Sequence, residues 1–141
     1  VDRGGGLTWH GPGQLVVDPI IHWNKEDEKS VTDIISKIES WVIAALETLG
    51  IRGYRDERMQ GVWVDGKKIC SIGLSFLRWV SRHGFTINYD TPKGRVENLA
   101  GCGLEESTTT SLNKLAYTIT EGALKDELMN TCEVVLDRKL A

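Results

Sequence analysis

The stretch Gly61-Val62-Trp63-Val64-Asp65-Gly66-Lys67-Lys68-Ile69-Cys70-Ser71-Ile72-Gly73-Leu74 decides the fold class of this chain. Two runs rich in β-branched and apolar residues flank an Asp-Gly pair that tolerates positive φ at both positions, the mark of a tight β-hairpin. Working outward, Val31, Ile34, Ile35, Ile38, Trp41, Val42, Ala45, Leu46 and Leu49 recur at helical spacing. Ser30 with Asp33 offers an N-terminal cap, and Gly50 a stop. Beyond the hairpin, residues 80–89 alternate as a strand, with Phe85, Ile87 and Tyr89 on one side. Residues 15–21 read as a short apolar strand that Pro19 confines to an edge or a bulge. Residues 23–29 read as a charged surface connection and 90–110 as a turn-rich loop. Two closing helices are expected over about residues 111–118 and 120–136, the second with Leu124, Leu128, Cys132 and Val135 on one stripe. Strands flanked by separate helices place residues 1–141 in the α+β (mixed α/β) class as a single domain.

With 141 residues, 40% of them hydrophobic, the chain can bury a core without disulfides or metal. Seventeen basic residues against twenty acidic give a net charge of −3 with no basic run, which argues against nucleic acid and anionic membranes as partners. Cys70, Cys102 and Cys132 form an odd set with no CxxC pair, so a reducing, cytoplasmic setting is expected. No leader-like or membrane-spanning apolar stretch is visible. A glycine-rich loop that begins at Arg3 has no strand before it to hang on. An N-terminal portion, missing or supplied by another chain, is therefore expected.

Chemistry concentrates in two places. Arg3-Gly4-Gly5-Gly6-Leu7-Thr8-Trp9-His10 is followed by Gly-Pro-Gly-Gln14, a backbone free to press against a substrate. Cys102 stands between Gly101 and Gly103 in a polar loop. It reads either as a nucleophile or as a small buried hydrophobe. Cys132, on an apolar helix stripe, reads as packing. Strict alternation would point Lys68, Cys70 and Ile72 to one side of their strand. If that side met the Cys102 loop, the Lys68 ammonium would favour the thiolate and could protonate a leaving group; otherwise Lys68 is a solvated hairpin lysine. A His10–Cys102 dyad is a weaker option, for no third orienting residue is evident. His10, His22 and His83 lack ligand spacing, which argues against a metal. The glycines fit neither a Walker loop nor a dinucleotide fingerprint.

The joint pattern is more specific than its parts. Arg3-Gly-Gly, Thr8, His10-Gly-Pro-Gly-Gln14, Gly61-Val-Trp-Val64, Lys68-Ile69, Gly73-Leu74, His83-Gly84, Asn88 and Cys102-Gly103, in this order, closely resemble the octanoyltransferases of lipoate biosynthesis. The resemblance covers most of the chain and is weakest after about Leu112. It implies the catalytic-domain fold of biotin and lipoate protein ligases, a mixed sheet with packed helices. It also implies transfer of an octanoyl group from acyl carrier protein to a lysine of lipoyl domains, in 2-oxoacid dehydrogenase E2 subunits and the glycine cleavage H protein, with no cofactor. By position it assigns the acyl-accepting thiol to Cys102 and the lysine that tunes it to Lys68. Arg3, Gly4, Gly5, Gly6, Leu7, Thr8, Trp9 and His10 would line the acyl slot, together with Ser71, Ile72, Gly73, Gly84, Phe85 and Thr86. Phe85 would border the tunnel that measures chain length.

Departures from the family pattern are Trp9 in place of tyrosine, Gly101 in place of the proline that commonly precedes the cysteine, and Cys70 in place of a small residue. The rivals are an ATP-dependent lipoate or biotin ligase, which needs the lysine but no nucleophilic cysteine, and a split subunit that only binds lipoyl domains.

Overall fold

The computed structural model describes residues 11–92 and 108–139. In chain order these form β1 (Gln14–Val17), α1 (Val31–Thr48), β2 (Tyr54–Asp56), β3 (Met59–Val64), β4 (Lys67–Leu77), β5 (Val80–Asn88), a 3-10 turn (Leu112–Leu115) and α2 (Glu121–Leu136). The strands make one five-stranded sheet in the order β1-β5-β4-β3-β2. Its strand pairings are all antiparallel, so among the described residues the sheet is antiparallel where a mixed one was expected, with an isolated parallel bridge of Lys68 to Thr109 beside it. The α+β architecture expected from the sequence is present.

Helix α1 forms where its apolar period predicts. The Ser30 hydroxyl accepts from the Asp33 N–H at 3.1 Å, satisfying one of the donors that a helix start leaves orphaned. Ile34, Ile38, Trp41, Val42, Ala45 and Leu46 are buried against Val62, Val64, Ile69, Cys70, Ile72, Phe85 and Ile87 of the sheet and against Leu124, Leu128, Cys132 and Leu136 of α2. Both helices thus cover the same face. The Trp41 indole meets Phe85 edge-on at 5.3 Å, a geometry worth about 1 kcal/mol beyond its area. Its N–H donates to the Leu128 carbonyl at 2.9 Å.

Four expectations need correction. The first strand stops at Val17, because Pro19 has no N–H for a ladder. The helix expected over 111–118 is only the 3-10 turn, closed by Ala116 at φ 70°. Residues 23–29 are a connection exposed at Asn24, Glu26, Asp27 and Lys29, but not wholly a surface one. Trp23 and Glu28 are buried, the first under the Arg138 guanidinium at 4.9 Å, the second bonded to Lys37 and Arg138. Finally, strict alternation along β4 fails at Ile69, with consequences for the site. Among the described residues no helix is long and apolar enough to cross a membrane.

Candidate active site

Register sets which way Lys68 faces. On β3 and β4, Val62 pairs with Cys70 and Trp63 with Lys68, so one residue step on β3 spans two on β4. Ile69 is the extra residue of a β-bulge, and it sends Ile69 and Cys70 together to the helix-covered face. Lys68 therefore shares the opposite face with Trp63, which is fully buried yet stands outside the helix-side core. Gly61, at φ 130°, makes room there: a Cβ on it would sit 3.0 Å from the Lys68 Cε and 2.3 Å from the Cys70 carbonyl oxygen.

Across β1, β5 and β4 the same face continues through pairs that oppose each other directly. These are Gln14 with Asn88, Val16 with Thr86, Thr86 with Ser71, and Gly84 with Gly73. It is a polar strip that begins at a buried ammonium and runs to residues without side chains. Lys68, Thr86 and Asn88 on it are all buried.

The chain segments that flank this strip are tied to one another. The Lys68 N–H donates to the Thr108 carbonyl, and the Thr110 N–H donates to the Lys68 carbonyl, both at 2.9 Å. Residues 108–110 thus take the place beside β4 that β5 vacates after Asn88. The Gly13 carbonyl accepts from the N–H groups of Tyr89 and Asp90 at 3.0 and 2.9 Å. Gly13 stands at φ 80°, and a Cβ there would fall 1.9 Å from the Asp90 oxygen. Lys114 donates to the Thr91 carbonyl at 2.9 Å. The Asp65-Gly66 turn before Lys68, with φ 50° and 82°, is held by the Tyr117 hydroxyl on Asp65 and by the Gly66 N–H on the Tyr54 oxygen.

On the helix-covered face, Cys70 has no exposed surface. Burial pushes its thiol up to about 12, and the opposing pull of the Lys68 charge does not reverse this. Such a sulfur stays protonated and unreactive at neutral pH. Among the described residues no group of histidines, cysteines and carboxylates could hold a metal ion.

Residues 1–133 match the family described as the lipoyl protein ligase A/B catalytic domain. The chain belongs to this family. Among curated relatives of this lipoyl ligase-type chain, the octanoyltransferase of Syntrophobacter fumaroxidans is 44% identical over 115 residues, 82% of this chain and 50% of that protein. The octanoyltransferase of Caldanaerobacter subterraneus subsp. tengcongensis is 37% identical over 139 residues, 99% of this chain and 60% of that protein. The chain thus spans about half to three-fifths of the length of these relatives. Solved structures share the fold at low identity. Lipoate-protein ligase A bound with ATP superposes with a TM-score of 0.71 at 11% identity, over 99% of this chain and 58% of that one. The biotin protein ligase of Aquifex aeolicus gives 0.70 at 13%, over 89% and 53%.

Within this lipoyl ligase-type domain, the residues singled out from the sequence separate into groups. Lys68, Ser71, Gly73, Gly84 and Thr86 lie on the one face described above. The side chains of Ile72 and Phe85 point the other way, into the core under α1. The shared side for Lys68, Cys70 and Ile72 is corrected by the Ile69 bulge. Gly84 is no open floor, for the Val17 oxygen and Pro19 Cδ stand 2.2 and 2.4 Å from where its Cβ would be. Arg3, Gly4, Gly5, Gly6, Leu7, Thr8, Trp9, His10 and Cys102 lie outside the described residues. Sequence reasoning gave no role to Gln14, Asn88 or Thr110. The sequence signal for Asn88 is its place in the ordered motif, which names the residue without giving it a role.

Proposed function

We propose that this chain carries the catalytic centre of an octanoyltransferase, which moves an octanoyl group from octanoyl-acyl carrier protein to a lipoyl-domain lysine. The acceptors are the lipoyl domains of 2-oxoacid dehydrogenase E2 subunits and the glycine cleavage H protein, and the setting is cytoplasmic. The observation that carries the reading is the Ile69 bulge. It buries Lys68 on the polar face and pairs its backbone with Thr108–Thr110, a segment only six residues past Cys102 in sequence. The family match and the named relatives support it.

In this reading the Cys102 thiolate, favoured by the Lys68 ammonium, attacks the thioester carbonyl. A carbon–sulfur bond forms to Cys102, the one to the pantetheine sulfur breaks, and Lys68 passes a proton to the departing thiolate. The neutral amine of the target lysine then attacks the acyl-enzyme. An amide forms, Cys102 leaves as thiolate, and the now neutral Lys68 takes up the proton released by the amine. Backbone N–H groups of the glycine-rich stretches, Arg3–His10 among them, polarise the oxyanion. The thioester is already activated, so the balance needs neither ATP nor a cofactor.

An ATP-dependent ligase on the same fold reads differently in one assay. Octanoylation of a lipoyl domain is followed with octanoyl-carrier protein alone, and with free octanoate plus ATP, for the protein and for Cys102→Ser. The transferase predicts product only from the carrier-bound donor and a loss of at least about a thousandfold in the variant. Product from octanoate and ATP that survives Cys102→Ser contradicts it.

A further inference from the structure

We propose that Asn88 is a positioning residue, whose side-chain amide locks Gln14 at the start of β1 and the segment Thr108–Thr110 together beside Lys68. The inference rests on the octanoyltransferase reading for its meaning in catalysis, though not for its geometry.

The Asn88 oxygen accepts from the Gln14 side-chain amide at 2.7 Å, and its nitrogen donates to the Thr110 carbonyl at 3.2 Å. The orientation is fixed by chemistry, because a carbonyl can only accept and must therefore face the NH2 group. Asn88 is 3% exposed; its bond to Thr110 is buried and that to Gln14 partly so, and an unmet partner at the buried end is costly. Each partner is the next link of a chain of bonds. Gln14 follows Gly13, whose carbonyl holds the N–H groups of Tyr89 and Asp90. Thr110 gives its own N–H to the Lys68 carbonyl. One side chain thus couples Gln14, the Tyr89–Asp90 corner at the end of β5, and the segment Thr108–Thr110.

Nothing in the fold alone demands an asparagine there. An apolar residue would satisfy a sheet position, whereas here the side chain bonds both to Gln14, its partner in the β1–β5 ladder, and to the Thr110 carbonyl, and so ties that ladder to the segment beside β4. The consequence for the proposed reaction is geometric. Acylation needs the Cys102 sulfur, the Lys68 amine and the acyl slot in mutual register, and a displacement of about 1 Å at such a centre costs on the order of a hundredfold.

The test uses two variants of the purified protein and residue-resolved hydrogen exchange. Asn88→Ala removes both bonds, so the amides of Thr110, Tyr89 and Asp90 should exchange about tenfold faster together, the factor of one ordinary hydrogen bond. Mid-sheet amides at Cys70 and Phe85 should stay as in the parent. Asn88→Asp keeps the acceptor for Gln14 but sets a carboxylate against the Thr110 carbonyl. It should therefore free Thr110 while Tyr89 and Asp90 stay protected. In both variants the pH profile of Cys102 alkylation should move towards that of an isolated thiol, with the KM for the lipoyl domain unchanged.

Unchanged exchange at Thr110 in both variants overturns the proposal, as does uniform loss of protection through the mid-sheet amides, which would mark a general packing role. Failure of the octanoyltransferase reading itself shows separately, as absence of an octanoyl adduct in the parent protein. In that case the exchange pattern still decides the coupling.

Discussion

Lys68 and Cys70 stand two positions apart on β4 and face opposite sides of the sheet, because Ile69 is one residue more than β3 can match. This separates a buried ammonium on the polar face from a buried thiol under the helices. Among the described residues Cys70 and Cys132 both lie in the core, whereas Cys102 is flanked by glycines in the sequence.

Thiol reactivity should follow that division. At about pH 8, iodoacetamide should label Cys102 first, while Cys70, with its thiol pushed to about 12, should react only after unfolding. Cys70→Ala should leave octanoyl transfer unchanged and cost about 1–2 kcal/mol of stability through the cavity it leaves. Peptide mapping of the labelled protein checks the first statement and denaturant titration the second.

Replacing Lys68 should split the reaction into its halves. Lys68→Arg keeps a cation near the thiol but cannot shed its proton, so acyl-enzyme should form while transfer to the lipoyl amine falls about a hundredfold. Lys68→Met should depress both steps. Single-turnover rates of adduct formation and decay make the comparison.

Acid should act through Glu28. Its carboxylate is buried and bonded to Arg138 and Lys37, which holds it at about 2 against an ordinary 4.5 despite the opposing effect of burial. Because the folded value is the lower, the unfolded chain takes up the proton first as pH falls. The stabilisation, about 3 kcal/mol by linkage, is thus complete above the ordinary 4.5 and lost on the way down to about 2. Glu28→Gln should remove it at neutral pH and flatten the acid limb of the stability curve, as denaturant midpoints across that range would show.

Two glycines separate steric clash from backbone strain. Gly13 and Gly66 both have φ near 80°, but a Cβ on Gly13 meets the Asp90 oxygen at 1.9 Å, while one on Gly66 meets nothing within 4 Å. Gly66→Ala should cost about 1 kcal/mol of conformational strain and keep activity. Gly13→Ala should cost more and abolish transfer, since the Tyr89–Asp90 corner must move. Parallel melts and activity assays decide it.

These residues also indicate how far the sequence could be read. Helices α1 and α2 and the Asp65-Gly66 hairpin were legible because period, cap and turn chemistry are local. The Arg78-Trp79 turn was not, since both residues take positive φ, at 51° and 65°, without glycine or asparagine. The buried Glu28 was not, because its partner Arg138 comes from 110 residues away. The facing of Lys68 was misread for the same kind of reason: a bulge is a property of two strands in register, and one strand's alternation cannot reveal it. Lys68 and Asn88 both stand in the ordered motif, but only the coordinates connect Asn88 with Gln14 and Thr110.

The central claim is that Cys102 carries the acyl group. Intact-mass measurement after incubation with octanoyl-carrier protein, followed by peptide mapping, tests it most directly. The account predicts one adduct of octanoyl mass on Cys102, lost in Cys102→Ser and retained in Cys70→Ala. An adduct on Cys70, or none on a protein that still octanoylates a lipoyl domain, would contradict it.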